Sequence, residues 1–228
     1  MSYEPYPTQP DPGQPIPPAP PYPQYPALYQ PVKSLTATGT LSVAAAGLVT
    51  LMTLVNAIAV GPAVRAGEIG GWFVAYGLAA VGHFVLLVGG FVASSMWLYQ
   101  ARRNTEAFAP EWSHTRSAGW AWGGWVCPVV SLWFPFQVVR DVFQASARTR
   151  TSSSLIGWWW AFWVVILFLD RISSNVEDDA LTSGSASGAQ GLAWFTFVVT
   201  AAGAVLWGFV VHRITALQGE WMRGTPPA

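Results

Sequence analysis

Five apolar stretches punctuate this chain, and only four of them run uninterrupted over the length a bilayer demands. About 20 mainly apolar helical residues are needed to cross a ~30 Å hydrocarbon layer. Residues 35–60, 71–99, 155–172 and 191–214 meet that requirement. The fifth, residues 118–136, is comparably apolar but carries Gly119, Gly123, Gly124, Pro128 and Pro135. Each proline lacks a backbone donor and disfavours helix in the residue before it, so this stretch is cut into pieces too short to cross as one regular helix.

The basic residues choose between four crossings and five. Lys and Arg accumulate on the cytoplasmic side of membrane proteins. With the N-terminus inside and four crossings, the inside collects Lys33, Arg102, Arg103, Arg116, Arg140, Arg148, Arg150, Arg213 and Arg223, leaving only Arg65 and Arg171 outside. A fifth crossing reduces nine against two to five against six, which is no bias. Four crossings with both termini cytoplasmic is therefore expected, and the acidic, Ser/Gly-rich residues 173–190 read as an outward-facing loop.

The residues after the prolines agree with this count. Phe136, Val139 and Phe143 share one helical face with Val138 and Val142 beside them, while Gln137, Arg140, Asp141 and Gln144 recur on the other. Such a helix lies in an interface. Residues 118–146 are thus expected to form a re-entrant or interfacial wedge and an amphipathic helix on the cytoplasmic side, packed against the bundle. The expected fold is all-α: residues 35–220 as a four-helix membrane domain, followed by a short cytoplasmic tail at 221–228.

Composition fits no other class. Hydrophobic residues make up 52% and charged residues 10% of the 228, so most apolar surface must face lipid. Net charge is zero and gives no reason to expect a nucleic-acid partner. Cys127 is the single cysteine and forms no intrachain disulfide.

Residues 1–34 are a different material, holding twelve of the eighteen prolines interleaved with Tyr3, Tyr6, Tyr22, Tyr25 and Tyr29. A disordered cytoplasmic tail with polyproline-II character is expected, able to dock a cytoplasmic protein or to act as a solvated spacer. It does not read as a signal peptide, because the first apolar run begins near Leu35 and is too long for a cleaved leader.

Within the spans, small residues mark expected contact faces: Thr196, Thr200, Ala204 and Gly208 in the last, Thr36, Thr40 and Ala44 in the first, Gly82, Gly90 and Ser94 in the second. Trp72, Trp97, Trp158, Trp159, Trp160 and Trp163 read as interfacial anchors. His83 and Asn56 are the candidate intramembrane polar residues, expensive in hydrocarbon and hence either interhelical hydrogen-bond formers or part of a path. Arg102, Arg103, Asn104, Trp125, Pro128, Pro135, Arg140 and Asp141 are candidates for holding the wedge or binding lipid headgroups.

Sequence patterns of catalysis do not occur: no GxSxG, HExxH, Walker sequence or CxxC is present, and His83, His114 and His212 are too scattered to suggest a metal site. No cofactor is expected, and the chain reads as a non-enzyme.

Several strings in the middle of the chain carry a family resemblance. Residues 97–104 (WLYQARRN), Gly119-Trp120, Gly124-Trp125-Val126-Cys127-Pro128, residues 132–141 (LWFPFQVVRD) and Trp158-Trp159-Trp160 resemble an actinobacterial membrane-protein family catalogued as a domain of unknown function, number forty-three twenty-eight. The resemblance covers about residues 70–215. It implies a membrane protein, often with a proline-rich tail, and brings no activity, substrate or catalytic residue. The leading expectation is a plasma-membrane scaffold that holds partners through its wedge and tail. The alternative is a small-molecule transporter or channel component with His83 and the wedge lining its path.

Overall fold

The computed structural model describes residues 32–66, 71–127 and 129–225. All regular structure among them is helical: α1 (Thr36–Ala66), α2 (Gly71–Phe108), α3 (Trp120–Val126), α4 (Phe134–Ala147), α5 (Ser154–Ser183) and α6 (Ala186–Met222). Four of these, α1, α2, α5 and α6, are long and apolar enough to cross a membrane. The proline-rich residues 1–31 and the candidate Pro128 lie outside the described residues.

The proline-broken stretch forms no continuous helix. α3 is seven residues long, a 3-10 turn at Val130–Leu132 comes next, and α4 begins at Phe134 with Pro135 in its first turn, where a missing N–H costs nothing. Cys127 is extended, the geometry that the residue before a proline prefers. Both flanks of the stretch return to one end of the bundle. There Asn104 of α2 accepts a 2.9 Å bond from the Lys33 N–H and donates to the Lys33 carbonyl and to Gln218 of α6. Gln218 in turn donates to the Ala101 carbonyl and to Ser146 of α4. The start of α1, the ends of α2 and α6, and the end of α4 therefore meet at what we call the basic end.

Around the bundle the helices run α2, α1, α6, α5, each packed on the next. Small residues set these seams, as expected in lipid, where close approach replaces the hydrophobic drive. Gly90 lies against Ala45 and Val49, and Ser94 shares a 2.8 Å hydrogen bond with Ser42, so the face foreseen on α2 is the α1 seam. On α1 the seam is instead Gly39 and Ser42; Thr36, Thr40 and Ala44 are exposed. A side chain at Gly39 would meet Val211 at 3.1 Å and Trp97 at 3.4 Å, which is why the first helix can lie so near both neighbours. Thr196 and Thr200 are buried on α6 as expected, joined by Gly203 at the α5 seam.

Two readings of the sequence change here. Residues 173–183 are not loop: α5 continues through them because Ser173, Glu177 and Ala180 have buried positions to occupy, and only Gly184, left-handed at φ 75°, and Ser185 separate it from α6. Trp97 and Trp159 are not interfacial anchors but core, at 0% and 3% exposure, packed around Trp207. The indole N–H of Trp97 donates to Thr215, and that of Trp207 to Ser42, so each ring is buried with its polar group satisfied. Trp72 and Trp158 remain exposed.

Candidate functional site

Because the four long helices form an arc, its two outer members, α2 and α5, face each other without packing closely. The space between them holds two cavities, of about 340 and 410 Å3. Thr53 of α1, His83 of α2, Asp170 of α5 and Thr196 of α6 line the first, while Thr50, Leu87, Ile166 and Thr200 line the second. On every helix the two sets are three or four residues apart, one helical turn. The cavities are therefore consecutive sections of one groove.

The section farther from the basic end is polar and acidic. Glu177 is buried at 6% exposure, its carboxylate accepting a 3.0 Å bond from the Asn56 side-chain amide and a 2.6 Å bond from the Tyr76 hydroxyl. Asp170 and Asp178 line the same cavity, and no Lys or Arg does among the described residues. A buried carboxylate held by neutral donors alone retains its charge only at a substantial desolvation cost, which a cation brought into the cavity would relieve. Asn56 and His83, flagged from the sequence, are both here: Asn56 as an interhelical donor, His83 on the cavity wall facing the α5 carboxylates.

Nearer the basic end the groove turns apolar and aromatic. Trp125 and Val126 of α3 close it, with Trp159 and Trp163 of α5 and Trp207 of α6 around them. Trp125 stands edge-on to Trp163 at 5.3 Å and to Trp207 at 6.5 Å, while Trp122 meets Phe91 of α2 edge-on at 6.0 Å. α3 thus bridges α2 and α5 at this end of the groove, as the Tyr76–Glu177 hydrogen bond does at the other. Two polar groups of this section are buried without a partner, the Trp163 indole N–H and the Thr200 hydroxyl. Buried donors in folded proteins are nearly always satisfied, so the pair marks a place where a guest could present an acceptor.

Most of the remaining sequence candidates belong to the basic end, where their roles divide. Asn104 and Gln218 tie helices together, as described. Asp141, buried at 4%, accepts the Thr115 N–H at 2.7 Å and pairs with Arg140 at 3.1 Å, fixing the loop before α3 onto α4. Arg102 and Arg103 both pair with Glu106, and Pro135 starts α4. Among the described residues no group of His, Cys, Asp and Glu could hold a metal ion.

Four helices long and apolar enough to cross a bilayer define a multi-pass membrane protein. The family model of a domain of unknown function (DUF4328) matches residues 61–216, and the chain belongs to that family. No curated protein and no solved structure matches it. Glu177 and Gln218 were not singled out from the sequence. The signal for Glu177 was present in the spacing of Ile166, Asp170, Ser173, Glu177 and Ala180, a single helical stripe running through what read as loop.

Proposed function

We propose that this protein binds a cationic amphiphile in the groove between α2 and α5, its charged head against Glu177 and its apolar body among Trp125, Trp159 and Trp163. One observation carries the reading: a cavity walled by three carboxylates and, among the described residues, no Lys or Arg continues, one helical turn further, into an aromatic cavity. Glu177 and Trp163 are fourteen residues apart on α5, roughly 21 Å along the helix. That is the scale of a head and a long alkyl chain. The unpartnered Trp163 and Thr200 groups suit an ester or amide carbonyl partway along that chain.

The nine-to-two distribution of basic residues supports a plasma-membrane orientation with the basic end and both termini cytoplasmic. In that orientation the acidic section opens toward the outer leaflet. The role is one of binding, without a chemical step, and it is closer to small-molecule handling than to partner scaffolding, since the groove and not the tail carries it.

Full-length protein in phosphatidylcholine nanodiscs provides the test. An alkyltrimethylammonium with a brominated tail is expected to quench tryptophan fluorescence saturably, and an alkyl sulfate with the same tail, at equal mole fraction in the bilayer, much less. Glu177→Gln keeps the side-chain shape and is expected to raise the half-saturating concentration about tenfold, the loss of one charge-assisted contact. Equal quenching by both amphiphiles in the unmodified protein would contradict the proposal.

A further inference from the structure

A second cavity system lies at the basic end, apart from the groove. It measures about 330 Å3 and sits between the last turns of α2 and the segment before α3, lined by Arg102, Glu106, Trp112, His114 and Arg116 among others. Arg102 lies one turn beyond Tyr99, where the apolar part of α2 ends.

Among the described lining residues two guanidinium groups face one carboxylate, Glu106, which is shared between Arg102 and Arg103. A second carboxylate, Asp141, lies behind the wall, bonded to the Thr115 N–H and paired with Arg140, and it also acts on Arg102 and His114. Among the described residues Arg116 meets no carboxylate: its Nε donates to the neutral Gln137 side chain and its guanidinium lies 3.8 Å from the Phe134 ring centroid. Two atoms of the lining residues are buried and unpartnered, Arg102 Nε and His114 Nδ1, Arg102 being only 7% exposed.

The hydrogen-bond network fixes which of those atoms gives and which receives. The Thr105 hydroxyl donates its one hydrogen to the Arg102 carbonyl at 2.6 Å, so toward His114 Nε2, 3.1 Å away, its oxygen accepts. His114 therefore carries its proton on Nε2 and offers Nδ1 as a bare acceptor. Burial and the Arg102 charge hold this imidazole neutral, its pKa lowered to about 4. The residues that line the cavity thus hold one unpartnered guanidinium donor and one unpartnered acceptor. Carboxylate and sulfate supply acceptors only. A singly protonated phosphate supplies acceptor oxygens and one P–O–H donor.

We propose that this cavity is a binding site for a phosphate monoester group or inorganic phosphate, with the oxygens on Arg102 and Arg116 and the phosphate O–H on His114 Nδ1. The group can come from a lipid headgroup or from solution, and two arms of one experiment separate these sources. Full-length protein in phosphatidylcholine nanodiscs is dialysed at slightly acidic pH and constant ionic strength against radiolabelled inorganic phosphate, with sulfate as competitor. In parallel, its thermal unfolding is compared in nanodiscs containing phosphatidic acid, a monoester, or phosphatidylglycerol, a diester without the P–O–H group.

Saturable phosphate binding, with sulfate competing at least about tenfold more weakly, would show the free-phosphate source. Protection by phosphatidic acid beyond that by phosphatidylglycerol would show the lipid source. In either case Arg116→Gln, and independently His114→Gln, are expected to abolish the effect, whereas the exposed Arg213→Gln at the same end and Glu177→Gln in the groove leave it intact. Equal competition by sulfate together with equal protection by the two lipids would overturn the proposal, as would unchanged phosphate binding in Arg116→Gln.

Discussion

Gln218 shows how much a single buried amide can hold in this bundle. Completely buried, it accepts from Asn104 and donates to the Ala101 carbonyl and the Ser146 hydroxyl, linking α6 to α2 and α4. Replacing it by Ala removes one bond from each of three polar partners, each bond worth roughly 0.5–1.5 kcal/mol net, and leaves a cavity in place of a fully buried side chain. Gln218→Ala is expected to lose about 3 kcal/mol or more in equilibrium unfolding by denaturing detergent. His114 gives a pH dependence of definite sign. Its folded pKa of about 4 lies below the ordinary 6.5, so the unfolded chain takes up the proton first. Stability from this residue is complete above about pH 6.5 and is lost as pH falls toward 4. The unfolding midpoint should therefore drop between neutral and mildly acidic pH, and His114→Gln should flatten that drop. At this scale the sequence pointed to polar residues at odds with their surroundings. Asn56 and His83 were conspicuous, being polar among apolar neighbours, and Asn104 and Asp141 stood in the strings that carry the family resemblance. Gln218 lies in an unremarkable helix end, and Glu177 in a run of Ser and Asp where a carboxylate looks solvated; only tertiary packing makes either one interior.

Among the elements, α3 has the largest effect for its length. Seven residues long, it places Trp125 against Trp159, Trp163 and Trp207 and Trp122 against Phe91, closing the groove at the basic end. Trp125→Ala removes a ring that nothing nearby can replace, and large-to-small changes of this kind cost about 3–5 kcal/mol where the site cannot collapse. The expected result is a matching fall in unfolding free energy together with stronger quenching of Trp159 and Trp163 by aqueous acrylamide. A stable variant with unchanged quenching would show that α3 does not close the groove. The break in this region and the helix after it were readable, because Pro128 and Pro135 forbid a continuous helix and the α4 residues alternate at helical spacing. The extent of α5 was not. Ser174, Asp178 and Asp179 are weak helix formers, and the helix persists there because Ser173 bonds Thr196 at 2.9 Å and Glu177 bonds Asn56 and Tyr76. The small-residue ridge on α1 was misplaced by a fraction of a turn, since Thr and Ala repeat on more than one face and only the partner helix decides which is used.

On the scale of the whole molecule, the groove is closed at the basic end because the fifth apolar stretch forms no continuous helix. A helix through the membrane at residues 118–136 would move one flank of that stretch to the opposite end of the bundle. It would also take away the α3 contacts that bridge α2 and α5. The distribution of basic residues favours four crossings over five, since nine of eleven share a side only with four. The arc order α2, α1, α6, α5 could not be read from the sequence, because four apolar helices of similar composition can be ringed in several ways and the deciding contacts are scattered pairs such as Ser42 with Ser94 and Gly203 with Ile166. The most direct test of the account is cysteine accessibility in sealed, oriented vesicles, on a Cys127→Ser background, with single cysteines at Ser117 and Arg148 flanking the stretch and at Gly184 between α5 and α6. Positions 117 and 148 are expected to react with a membrane-impermeant maleimide from one side and position 184 from the other. Reaction of 117 and 148 from opposite sides would contradict the account.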